Sequence, residues 1–223
     1  NINELIGERT VEKGFKPAGS IFKGELVDSV GGGISQFITT IHNAVYWGGY
    51  QVVAHKPHTL YFSRYPQGIE ATINWPYVDY IFKNDTENGL YVDVSYTDTS
   101  ITVSFYGDNH GRIAIGDHKG GYTNMKVSGA TENSRFVISE VSPRYNYKEP
   151  LIHYIPDEAL ARGEEVYQSV GDARFSVNVV RTVREEGELV RVDVWPVHYQ
   201  QDSTIVRRNP CDFYDEEFDY GKC

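Results

Sequence analysis

Sulfur is scarce in this chain. It has two cysteines and one methionine in 223 residues, and both cysteines, Cys211 and Cys223, fall in the last thirteen positions. Two cysteines alone make a poor zinc site. Positive charge is also in deficit, with 21 Lys and Arg against 31 Asp and Glu and a net charge of −10. That argues against a nucleic-acid partner, which needs a basic surface to meet phosphate. No apolar run approaches the ~20 residues of a membrane-spanning helix. There is no secretory leader and no initiator methionine, so the sequence reads as a mature fragment of a longer chain. Aromatic residues and glycine are abundant instead, with 17 Tyr, 10 Phe and 21 Gly. That mixture favours strands joined by turns, and the length allows one large domain or two small ones.

One stretch stands apart. Gly31, Gly32 and Gly33 remove three successive Cβ atoms where the backbone must turn sharply or come close to something else. Behind them Ile34, Ile38, Ile41 and Val45 recur at helical spacing, and Gly48 and Gly49 mark the helix end. Ser35, Thr39 and His42 form a second stripe, and Gln36, Thr40 and Asn43 a third. Ser35 thus sits in the first helical turn, where unpaired N–H groups favour an anion or a developing oxyanion. A serine there also makes an ordinary N-cap. The triple glycine is not a phosphate loop, because no Gly-Lys-Ser/Thr follows it.

A short helix or turn is expected near Asn3 to Gly7, and an extended pair at 15–21 and 22–27 leads into the glycine loop. Strands are expected at 50–55, 60–65, 70–75 and 79–84, with a hairpin turn at Asn88 and Gly89. Residues 90–96 and 100–106 alternate cleanly and pair through 97–99. Residues 108–135 are rich in Gly, Asn, Asp and Ser and read as a loop or linker; 136–141 is a strand. Strands follow at 151–155, 165–169, 175–183, 189–197 and 198–206, with Glu186 and Gly187 turning the longest pair. The expected fold class is α+β, with one central helix on a mostly antiparallel sheet, followed by a small all-β module. The expected division is a first domain at 1–107, a linker or extra strands at 108–149, and a β module at 150–223.

The simplest reading of the cysteines is a Cys211–Cys223 disulfide closing an acidic loop, which implies an oxidising, extracytoplasmic compartment. The five carboxylates between them read as a solvated acidic tail. They fit no EF-hand spacing, although a hard cation such as calcium is a conceivable guest.

The first half of the chain resembles the VanW family, named after an accessory protein of vancomycin-resistance clusters. The resemblance rests on Gly31-Gly32-Gly33-Ile34-Ser35-Gln36, Thr39-Thr40, Asn43-Ala44, Pro57-His58-Thr59, Gly68-Ile69-Glu70-Ala71-Thr72, Asp79, Phe82-Lys83-Asn84-Asp85-Thr86 and Val103-Ser104-Phe105-Tyr106-Gly107. Gly7-Glu8-Arg9-Thr10 and Gly14-Phe15 look like the family's lead-in. The second half, around Gly171 and its paired strands, loosely resembles a G5-type extracellular β module.

The resemblance implies an extracytoplasmic protein of a Gram-positive type of envelope, associated with peptidoglycan and its stem peptides. Proteins similar to this family include L,D-transpeptidases that use a cysteine in the glycine motif. Ser35 stands at that position here. A serine gains less than a thiol from a helix N-terminus and needs a general base. His58 is the candidate base, and Glu70 or Asp79 is placed to orient it. Gly32, Gly33, Gln36 and Thr39 are candidates for holding substrate, and Arg64 suits a substrate carboxylate. His42, two turns from Ser35, would only line the wall. Each also has a plainer reading: a structural histidine for His58, surface charges for Glu70 and Arg64. No cofactor, metal or nucleic acid is called for, and membrane contact would come only from a segment outside this chain. Two functions stay open: acyl transfer on stem peptides, or non-catalytic cell-wall binding.

Overall fold

The structure, a computed structural model, describes residues 1–22, 25–107, 115–119 and 135–213. The chain forms two compact units. The first takes Asn1–His58, Phe62–Pro143 and Val177–Val197, and the second takes Thr59–Tyr61, Arg144–Ser176 and His198–Cys223. The described residues are mostly β with one main helix packed on strands.

A short helix α1 (Ile2–Ile6) opens the first unit, capped by the Asn1 side chain on the Glu4 N–H. Strands β1 (Pro17–Phe22) and β2 (Glu25–Val30) pair antiparallel and lead into the triple glycine. Helix α2 (Ile34–Trp47) follows, and Gly49 beyond its end takes the left-handed conformation at φ 72°. Strand β3 (Gln51–Ala54) pairs antiparallel with β4 (Ile81–Lys83) across an irregularity in register. Strands β5 (Leu90–Tyr96) and β6 (Ile101–Gly107) form a regular hairpin from Leu90↔Gly107 to Tyr96↔Ile101. Next come β7 (Ile115–Lys119) and β8 (Arg135–Val141), paired in parallel. Then follow β9 (Tyr145–Lys148), β10 (Leu151–Pro156), β11 (Glu165–Ser169), β12 (Arg174–Glu185), β13 (Glu188–Tyr199) and β14 (Ser203–Arg208).

A sheet of order β13-β12-β8-β7 belongs largely to the first unit. Its β12–β13 connection is two residues, Glu186 and Gly187, both at positive φ (53° and 80°), the backbone that a tight hairpin of right-twisted strands requires. In the second unit β14 lies between β10, parallel to it, and β11, antiparallel. Tyr61, Phe175 and Tyr199 pack ring to ring there.

The apolar stripe of α2 becomes the core of the first unit. Ile38, Ile41 and Val45 are buried with Ile2, Ala71, Ile73 and Tyr80, and Ile34, Phe37, Phe82 and Phe105 pack around them. Burying each aliphatic side chain is worth about 1.5–3 kcal/mol. α2 therefore owes its place to packing rather than to helix propensity.

Three local expectations are corrected. Residues 60–65 and 70–75 are not strands. The first is a run of turns, and in the second the hydrogen-bonding edges are taken by helix side chains and by Lys56 (below). Asn88 and Gly89 do not close a hairpin, because β4 pairs with β3 and β5 with β6. The last strand begins at Ser203, since β13 runs on to Tyr199. The Cys211–Cys223 pairing and the acidic tail involve residues 214–223, outside those described, as is most of the 108–134 stretch.

One buried cation ties the first unit together. Arg181 of β12 is 0% exposed. It donates to the carbonyls of Tyr46 (3.0 Å) and Tyr50 (3.0 Å) and to Asp193 Oδ2 (2.9 and 2.6 Å). Burial pulls its pKa down, and Asp193 opposes that shift. Arg181→Leu would strand two carbonyls and weaken the charge balance around Asp193. The expected loss is about 3–5 kcal/mol in urea denaturation, and a loss below about 1 kcal/mol would contradict this account.

Candidate functional site

The glycine loop fits closely against β1. A Cβ on Gly32 would lie 1.8 Å from the Ala18 carbonyl oxygen, so only glycine fits. Gly31 and Gly33 take φ of 79° and 80°, a region that favours glycine. The loop's N–H groups are engaged: Gly31 donates to Lys16 (3.1 Å), Gly32 to Ser29 (2.9 Å), Gly33 to Gly19 (3.1 Å) and Gln36 to Gly33 (3.0 Å). Gly33 is the N-cap residue, without a side-chain cap. Ser35 is half-buried in the first turn and does not cap the helix. Among the described residues, no hydrogen bond joins Ser35 to His58. Gln36 is exposed beside an open depression bordered by residues 96–101.

His58 and Glu70 do come together. His58 Nδ1 lies 3.0 Å from Glu70 Oε2, with His58 7% exposed and Glu70 0%. If Nδ1–H donates to the carboxylate, Nε2 keeps its lone pair, the arrangement of an oriented general base. Glu70 Oε1 is buried with no hydrogen-bond partner. The imidazole stacks on Tyr65 (5.3 Å, 19°) and meets the Phe62 ring edge-on at 5.2 Å. The exposed Arg64 guanidinium sits over the same two rings, 5.2 Å from Phe62 and 5.5 Å from Tyr65. Arg64, His58 and Glu70 are thus gathered around one aromatic pair. Asp79 is occupied elsewhere, accepting from the N–H groups of Asn3 (2.9 Å) and Tyr80 (2.8 Å). Thr39 is buried, its hydroxyl engaged with the Ala71 backbone.

Sequence reasoning did not single out Phe62 and Tyr65. A strand reading of 60–65 masks their role, although aromatics four and seven residues past the histidine of a Pro-His motif were the available signal. Among the described residues, no group of three or more His, Cys, Asp or Glu side chains is placed to hold a metal.

Comparison with known proteins now adds to this geometry. Residues 1–106 match the family described as VanW like protein. A relative from Bacillus subtilis (strain 168), the uncharacterized protein YoaR, is 36% identical over 106 residues, which is 48% of this chain and 35% of that protein. The VanW-like stretch carries Ser35, His58, Arg64 and Glu70, whereas the compact unit containing it also includes Val177–Val197. In the C-terminal part, the IgA1 protease G5 domain matches over 34% of this chain and 93% of its own (15% identical, TM-score 0.22). HP0197-G5 matches over the same shares (18% identical, TM-score 0.17). Scores this low carry no inference about function.

The first unit also holds a histidine pair. His42 of α2 and His55 stack at 4.8 Å and 12°. His42 Nδ1 meets the Tyr80 hydroxyl at 3.1 Å, and the Nε2 atoms of both rings are buried without partners. Burial holds His42 well below its usual pKa, helped by His55 and Arg181. Burial and Arg181 lower His55 to about 4, against the opposing pull of Asp193. Both rings are therefore neutral in the fold, while the unfolded chain binds their protons near pH 6.5. Between these values the unfolded state holds more protons, so stability rises with pH. It is complete above about pH 6.5 and falls on acidification toward about 4, by up to about 1.4 kcal/mol per pH unit for each histidine. Urea midpoints at pH 7, 6 and 5 should fall in that order, with a shallower fall in His55→Gln. Midpoints that rise on acidification would contradict the neutral assignment.

Proposed function

We propose that this chain is an extracytoplasmic cell-envelope protein that engages peptidoglycan stem peptides at the His58–Glu70 site and transfers an acyl group through Ser35. The observation that carries this reading is the buried His58–Glu70 hydrogen bond within a stretch that matches the VanW like family. A serine needs that base, whereas a cysteine at the helix N-terminus would depend on it less.

In the proposed step, Ser35 Oγ attacks the carbonyl carbon of a stem-peptide amide, and its proton passes to His58 Nε2. The C–N bond breaks, and His58 returns the proton to the leaving amine. A second amine then attacks the Ser35 ester, again giving its proton to His58, which restores the serine hydroxyl as the new amide forms. Glu70 keeps the imidazole oriented throughout. Arg64 receives a peptide carboxylate above Phe62 and Tyr65, out of the path of proton transfer. Ser35 and His58 share no hydrogen bond before substrate binds, and catalytic contacts of this kind often tighten only in the complex.

A second reading has its own support. The N–H groups of Gly31, Gly32, Gly33 and Gln36 already have backbone acceptors, which leaves little of an oxyanion hole and favours a site that binds stem peptides without turning them over.

Intact-protein mass spectrometry with purified muropeptides separates the two readings. The expected result is an acyl adduct on the native chain and on Ser35→Cys, absent from Ser35→Ala and reduced at least tenfold in rate by His58→Ala. Binding without an adduct in every variant would overturn acyl transfer in favour of the binding module.

A further inference from the structure

Among the described residues, 69–72 have no strand neighbour, yet their backbone groups are not idle. The Thr39 hydroxyl donates to the Ala71 carbonyl (3.0 Å) and accepts from the Ala71 N–H (3.3 Å). One side chain so completes both hydrogen bonds that a paired strand would otherwise give Ala71. One turn further along α2, Asn43 Nδ2 donates to the Ile69 carbonyl (3.2 Å) and to the Thr39 carbonyl (2.8 Å). The Thr72 N–H, on the opposite edge, donates to the Lys56 carbonyl at 2.7 Å, two residues before His58. Glu70 therefore lies between two anchored residues, Ile69 and Ala71, and both anchors are side chains of the helix that carries Ser35.

We propose that Thr39 and Asn43 are positioning residues, a two-point clamp by which the Ser35 helix sets the Glu70 carboxyl against His58. Ser35, Thr39 and Asn43 are at i, i+4 and i+8, so they rise along one face of α2. A helix is stiff on this scale, and the clamp converts its stiffness into a fixed relation between Ser35 and the His58–Glu70 pair. Thr39, a candidate for substrate contact, has its hydroxyl engaged by the Ala71 backbone as both donor and acceptor. The catalytic meaning of the clamp rests on the acyl-transfer reading; the clamp itself does not.

The test reads His58 directly. Two-bond proton–nitrogen correlation spectra of the full 15N-labelled chain report the imidazole tautomer and the Nδ1 environment in native protein, Thr39→Val, Thr39→Ser and Glu70→Gln. Valine keeps the shape of threonine and removes both hydrogen bonds; serine keeps the hydroxyl. The expected result is that Thr39→Val moves the His58 resonances by about half or more of the displacement caused by Glu70→Gln, and that Thr39→Ser restores them. A folded Thr39→Val with native His58 resonances overturns the clamp. If Thr39→Val does not fold, Asn43→Ala, which removes the Ile69 arm together with the bond to the Thr39 carbonyl and leaves the Thr39 hydroxyl in place, carries the same comparison. Muropeptide acylation is measured in parallel and should slow about tenfold or more in Thr39→Val, with Thr39→Ser within about twofold of native. Displaced His58 resonances with no acylation of native protein would refute acyl transfer and leave the clamp standing. Native resonances alongside normal acylation would refute the clamp alone.

Discussion

A guanidinium with no access to water holds the first unit in register. Removing Arg181 from solvent is costly, and that cost is offset only because all its partners are in place: two carbonyls at and just beyond the end of α2, the Asp193 carboxylate, and the Tyr46 and Trp195 rings 5.0 and 5.2 Å away. The last turn of any helix leaves carbonyls unsatisfied. Here β12 supplies the donor, and the C-terminal end of α2 is fixed. Gly49 is held in the same way, its carbonyl accepting from Arg191 (2.7 Å) and Arg135 (3.3 Å), which in turn share Asp85. At its other end α2 is fixed by sterics, because Gly32 leaves no room for a Cβ against Ala18. A helix fixed at both ends holds Ser35, in its first turn, at a fixed place in the unit.

From that helix the site is built by backbone satisfaction rather than by a sheet. The 69–72 segment lies against the core through Ala71 and has buried polar groups that must find partners. The partners come from α2 on one edge and Lys56 on the other. This is why the Pro57-His58-Thr59 and Ile69-Glu70-Ala71 motifs, a dozen residues apart, meet with a 3.0 Å hydrogen bond.

Much of this was open to a reading of the sequence, for identifiable reasons. The 3.6-residue period of Ile34, Ile38, Ile41 and Val45 has one physical solution, a helix with that face buried, and glycines bracket it. The hairpins β5–β6 and β12–β13 follow from alternation closed by turn residues, and an extended pair is expected near β1 and β2, with its second arm ending at 27 rather than at Val30. Residues 60–65 and 70–75 misled because residue types that suit a strand do not by themselves supply a neighbouring strand, and 60–65 turns instead. Phe62 and Tyr65 serve His58, and Tyr61 serves Phe175 and Tyr199. Asn88 and Gly89 carry a turn's chemistry without a hairpin's pairing. The three buried or half-buried arginines were hidden for a different reason. Beside the nearer Asp193, Arg181, Arg135 and Arg191 take partners about 50 to 140 positions away, and no local pattern encodes that.

The strongest argument for function at this site is an energetic one. Glu70 is wholly buried, and one of its two oxygens has no partner. An unsatisfied buried acceptor costs about 1–3 kcal/mol, and an apolar residue would relieve it. Stability alone gives no reason to keep a carboxyl there. Orienting an imidazole does, because a serine hydroxyl, unlike a thiol, is too weak an acid to be activated by the field of a helix end alone. On the proposed acyl-transfer reading, a serine in the glycine motif shifts the chemical burden from the helix N-terminus to the histidine. It is at the histidine that this protein places its buried, incompletely satisfied acid.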